Sequence, residues 1–213
     1  GGTEFFDRIN QLDFSLANTL PAQRQVLTPM RGYANVDDVA LVTLDAQVTT
    51  ITLPAPMMQT HLSTPETDAN GTRRASLMFE AGTQATMLVG GVPQPLPTLH
   101  VRATEYTVGP RGREAMPGRL PDFSGYTYAV ELSVDEAIAA GATEVRFSSP
   151  VAIHVNNFLG FPVGSRIPVG FYDRAKSAWI PSRNGRVVKI LSVTAGLADL
   201  DVDGSMTAAT AGM

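Results

Sequence analysis

The chain has 213 residues, 16 basic and 20 acidic, a net charge of −4, an apolar fraction of 44% and a charged fraction of 17%. That is enough chain for one large domain or two small ones with a real core, and it is an ordinary globular balance. Scattered basic residues disfavour a nucleic-acid binder, no apolar run approaches the roughly 18 residues of a membrane span, and the absence of cysteine removes disulfides and thiolate chemistry.

In chain order, Phe5 to Leu16 is ambiguous between a weak helix and an extended arm. Val39 to Leu44 and Gln47 to Leu53 suggest a hairpin around Asp45–Ala46, and the polar stretch Thr60 to Asn70, with Pro65, suggests a loop. Ala75, Leu77 and Phe79 alternate, as a half-buried strand requires, and Thr86 to Val89 follows a turn at Gly82. Leu99, Val101 and Ala103 share one face while Tyr106 and Val108 take the other, which predicts a bulge near Thr104–Glu105. Tyr126, Tyr128, Val130 and Leu132 alternate inward next.

One short helix is expected. Ser133-Val134-Asp135-Glu136 fits a capping box, Ala137 to Ala140 favour helix, and Gly141 stops it. Thr143 to Val155 is the strongest strand pattern, with Val145, Phe147, Val151, Ile153 and Val155 on one face. Pro150 cannot donate to a ladder, so an edge or a bulge is expected there. Ile167 to Tyr172, Ala178 to Ile180 and Arg186 to Val193 add three strands, the last two joined through Asn184-Gly185. Glycine (19) and proline (15) punctuate these segments evenly. The fold class expected is all-β: an antiparallel β-sandwich with one short helix and an N-terminal sandwich-like arm. Its parts are an arm, or the remainder of a preceding sandwich, over 1–50, the main sandwich over 51–195 and an Asp/Ala-rich linker over 196–213.

A set of phrases spread from about Leu20 onward carries a resemblance. They include Pro21-Ala22-Gln23-Arg24-Gln25-Val26, Asp45-Ala46-Gln47-Val48-Thr49-Thr50-Ile51 and Phe79-Glu80-Ala81-Gly82-Thr83. Val101-Arg102-Ala103-Thr104-Glu105-Tyr106, Tyr126-Thr127-Tyr128-Ala129-Val130-Glu131-Leu132 and Gly170-Phe171-Tyr172-Asp173-Arg174 continue the set. Together they resemble a region of large bacterial RHS/YD-repeat proteins, which are exported, toxin-like or surface polypeptides. The resemblance implies a secreted or cell-surface, non-enzymatic module lying before the YD repeats and after carboxypeptidase-regulatory-like sandwiches. Its partners would be neighbouring domains of the same polypeptide or assembly. The chain itself has no run of YD repeats, and residues 1–20 do not match. It begins Gly1-Gly2 without a signal peptide, as expected of a processed fragment whose targeting information lies upstream.

Candidate sites are few. Asp199, Asp201 and Asp203 before Gly204 resemble the start of a calcium loop, where oxygen ligands wrap a hard cation. The twelfth position, where a bidentate acid belongs, is Thr210, so a solvated linker is the competing reading. Phe158, Phe161, Phe171, Tyr172 and Trp179, beside Gly160, Gly164 and Gly170, form a candidate carbohydrate or partner platform. The bland reading puts Phe171 and Trp179 at the end of the core. Phe147-Ser148 suggests a self-cleaving step, but Arg146 stands where a histidine base belongs and His154 is six residues past Ser148. His61, His100 and His154 lie in no hydrolase or zinc motif, and Asn70-Gly71-Thr72, formally a glycosylation signal, is better read as a turn. The functional expectation is therefore a structural or docking module. A calcium-supported adhesin or carbohydrate binder and a self-cleaving sandwich are the alternatives.

Overall fold

The computed structural model describes residues 8–29, 32–121 and 125–210. It divides into two compact units, residues 1–156 and 157–213. That border differs from those expected near residues 50 and 195. Residues 20–44 join the first unit because Leu20 N–H donates to Val42 O, Gln23 N–H to Pro117 O and Ala40 N–H to Glu114 O.

In the first unit, β1 (Arg8–Phe14) and β2 (Ala22–Thr28) form an antiparallel ribbon, so the ambiguous N-terminal segment is a strand from Arg8 to Phe14, its residues 5–7 lying outside the described ones. Next come β3 (Thr49–Thr52), β4 (Gln59–Leu62), β5 (Glu66–Asp68), β6 (Gly71–Arg73) and β7 (Ala75–Phe79). They are followed by β8 (Ala85–Val89), β9 (Val92–Pro95), β10 (Thr98–Glu105), α1 (Gly112–Ala115) and β11 (Val130–Val134). The unit closes with α2 (Asp135–Ala139), β12 (Glu144–Phe147) and β13 (Ala152–Val155). Three antiparallel sheets have the orders β11-β10-β3, β13-β7-β4 and β12-β8-β9. All three contribute to one core built from Ile51, Leu53, Ala75, Leu77, Phe79, Ala85, Leu96, Leu99, Val101 and Ala103. Alternation is the cause: β7 and β10 each turn every second side chain inward. Phe147 meets Phe79 edge-on, with ring centroids 5.7 Å apart.

Several local expectations change. The long strand over 143–155 is two strands, because Pro150 interrupts pairing; β12 pairs with β8 and β13 with β7, each at the edge of its sheet. The hairpin around Asp45–Ala46 does not form, since β3 pairs with β10 and Thr43 bridges Thr19 instead. The segment 60–70 is not a plain loop: β4 joins β7, and β5 and β6 make a hairpin around Ala69–Asn70. No bulge occurs at Thr104–Glu105, where the β10–β11 register runs unbroken from Val101↔Val134 to Glu105↔Val130. Leu132 stays largely exposed on edge strand β11, and Tyr126 and Tyr128 precede that strand.

The capping box also fails. Ser133 is held in β11 opposite Arg102, and the extended residue before the helix is Val134, with no side-chain cap. Glu136 turns instead to the backbone N–H of His100. Gly141, at φ +62°, does end the helix. A further helix of four residues, α1, adds to the one expected.

The second unit contains β14 (Arg166–Ile167), β15 (Gly170–Asp173), β16 (Ala178–Pro181), β17 (Gly185–Arg186), β18 (Lys189–Thr194) and β19 (Leu197–Asp201). They pair as β14–β17, β15–β16 and β18–β19, all antiparallel. Asn184-Gly185 therefore does not join two paired strands. A register shift that the sequence did not suggest lies between Ile190 and Ser192. The fold is all-β.

Candidate functional site

The recess of the first unit has a volume of about 270 Å³. Its walls come from 40–45, the β4–β5 link, the end of β10 and the α1 region, with Asp45, Glu66, Glu105 and Arg111 as its charged groups. Asp45 organises one side. Its N–H donates to Thr104 Oγ1 at 2.9 Å, its carboxylate accepts from Thr64 N and Thr64 Oγ1, and its carbonyl accepts from Arg102 Nη1 at 2.6 Å. The 45 turn is thereby fastened to β10 and to the β4–β5 link rather than closing a hairpin.

Glu105 organises the other side. Arg73, almost wholly buried, donates Nε–H and Nη2–H to Glu105 Oε1 at 2.9 and 2.6 Å, and meets Asp68 with its Nη1 at 2.6 Å. Thr107 Oγ1 donates to the same Glu105 oxygen. Hydrogen bonds from Arg73, above all, hold the Asp68 carboxyl below the usual carboxylate range. Glu66 behaves oppositely: burial, then the charges of Glu105 and Asp45, raise its pKa. The recess is thus mildly acidic, with two carboxylates already engaged. Its hydroxyls from Ser63 and Thr104 accept backbone N–H groups of Ala75 and Asp45.

The histidines stand apart from it. His61 is fully buried on β4, His100 contacts Glu136, and His154 lies on exposed strand β13. Ser148 is tied to Gln84 in both directions: its Oγ accepts Gln84 N–H at 2.9 Å, and its own N–H donates to Gln84 O. Asn70 lies in the exposed β5–β6 turn, as expected.

The three aspartates are not gathered around one point. Asp199 accepts from Ser192 Oγ, and Asp203 accepts from Ser205 N at 2.9 Å. Asp201, fully buried, turns its oxygens onto the N–H groups of Asp203, Gly204 and Met206, at 3.1, 2.8 and 2.9 Å. It builds a turn. Among the described residues no group of three or more His, Cys, Asp or Glu is arranged to hold a metal ion.

On the β15–β16 ribbon the aromatic set is divided between two faces. Directly opposed residues share a face, so Tyr172 and Trp179 lie together, with ring centroids 5.3 Å apart. Phe171 and Ile180 occupy the opposite face of the same ribbon, with Phe171 53% exposed. Asn157 braces the Phe161 turn through hydrogen bonds to its N–H and carbonyl.

The Arg73–Glu105 pair went unread in the sequence. Its signal was the switch of face after Ala103: both faces are covered there, and a buried acid on such a strand demands a cation. Comparison with family models, curated proteins and solved structures found no match.

Proposed function

We propose that the chain is a non-catalytic structural and docking module of a large exported bacterial protein of the RHS/YD-repeat kind. Its partners are neighbouring domains of the same polypeptide or assembly. The observation that supports this reading is apolar side chains held outward on small two-stranded ribbons. On β18–β19, Leu197 is 77% exposed, Val193 62% and Ile190 60%. On β1–β2, Ile9 and Leu27 face each other across the ladder and are 70% and 57% exposed. An isolated two-stranded ribbon is marginal in water, and outward apolar pairs on one favour a packed neighbour. Engaged hydroxyls and separated histidines give no comparable support to a hydrolytic reading.

Hydrogen exchange tests it, with this chain compared alone and within the polypeptide that flanks it. Amides of residues 8–28 and 189–201 should exchange more slowly in the longer protein. Equal rates in the two settings sink the docking role.

A further inference from the structure

His61 is fully buried, on β4, with Leu77 of β7 opposite it in the ladder. Its Nδ1 lies 2.9 Å from Thr49 Oγ1, and its Nε2 has no hydrogen-bond partner among the described residues. Its surroundings hold little that would welcome a charge. β3 contributes threonines and Ile51, and β7 contributes Ala75 to Phe79, none of them titratable. β10, which also packs on β4, carries three charged or titratable groups. His100 is engaged by Glu136, Arg102 by Asp135 and Glu105 by Arg73. Asp45 is the carboxylate whose charge reaches His61, yet its oxygens already accept from Thr64 and Gln47.

We propose that His61 is an acid-sensitive latch: placing a proton on its ring opens the β3–β4 corner of the sandwich. The closed corner is tied from outside by Gln59, whose side-chain amide donates to Thr52 O at 2.6 Å and accepts from Thr52 N. The charged imidazole carries a donor on each ring nitrogen, and among the described residues nothing receives the one on Nε2. Opening lets water reach it.

The pH window follows from linkage. Burial lowers the His61 pKa below its ordinary 6.5, with Asp45 opposing only in part. The closed form therefore binds fewer protons than the open one. Its stability is complete above about pH 6.5 and is lost as pH falls below that, by at most about tenfold in the opening constant per pH unit. The ion-paired aspartates yield only under more acidic conditions, so the two effects separate. This device is independent of the docking role.

Urea unfolding of the full chain at several pH values between 7.5 and 5 is the test. The wild-type midpoint should fall below pH 6.5, with amide exchange at Thr49–Thr52 and Gln59–Leu62 accelerating first. His61→Gln should remove the fall, whereas His154→Gln, on exposed β13, should keep it. A wild-type midpoint that does not move, or an equal fall in His61→Gln, overturns the latch. If His61→Gln does not fold, imidazole signals of the wild type decide. A His61 ring that stays neutral until native signals vanish supports the latch, and one that titrates within the intact fold overturns it.

Discussion

Arg73 closes on Glu105 across 32 positions of sequence, with Nη2 2.6 Å from Oε1 and both side chains nearly free of solvent. The pair joins the β5–β6 hairpin to the end of β10 and closes one wall of the recess. Burying both charges is costly, and the geometry offsets that cost only while both are present.

Removing one partner should therefore hurt more than removing both. Arg73→Met is expected to cost about 3–5 kcal/mol, by leaving Glu105 an unmatched buried charge, and Glu105→Leu less, because Asp68 still meets the guanidinium. Arg73→Met with Glu105→Leu should recover most of that loss. Equilibrium denaturation of the three variants gives the comparison. Near-equal, additive losses would contradict a coupled pair.

The β18–β19 hairpin turns on Ala195 and Gly196, at φ +51° and +82°. A two-residue turn with both φ values positive favours Asn-Gly, whereas alanine meets its own carbonyl there. Ala195→Asn should stabilise the second unit by about 1 kcal/mol. Thermal melting measures it, and a lower melting temperature would argue against the turn geometry.

Gly164 stands at φ +88°, and a methyl group there would come within 3.0 Å of the Asp203 Cα. Strain and crowding act together, so Gly164→Ala should destabilise by about 1–2 kcal/mol. Gly196→Ala separates the two causes, because nothing lies within 4 Å of a methyl there. It should cost less. The same melting experiment ranks the pair.

Arg102 holds the Asp135 carboxyl below its ordinary value through Nε–H and Nη2–H hydrogen bonds, each 2.8 Å. A carboxyl lowered in the folded state contributes stability above its unfolded pKa and loses it as pH falls through the folded one. Asp135→Asn should therefore weaken the chain at pH 7 and flatten the loss of stability below about pH 4. Denaturation midpoints at pH 7, 4 and 3 check both halves. An unchanged acid slope in Asp135→Asn would remove this pair from the account.

The amino-acid sequence by itself determined the class of the fold and much of the core. Ala75, Leu77 and Phe79, and Leu99, Val101 and Ala103, were legible because strand geometry turns every second side chain inward whatever the partner. The stop at Gly141 was legible for a similarly local reason, since few other residues tolerate its backbone conformation. Tertiary structure alone decided which strand meets which. Asp45 became an anchor between β10 and the β4–β5 link rather than a hairpin tip, because its partners Thr64 and Thr104 lie 19 and 59 residues away. Ser133 lost its capping role because the β10–β11 register, set with a strand some 30 residues earlier in the chain, had already claimed it. Asp199, Asp201 and Asp203 looked convergent on paper. In the fold Asp201 turns to the backbone amides of Gly204 and Met206, while Asp199 meets the Ser192 hydroxyl, so each carboxylate answers its own local donors.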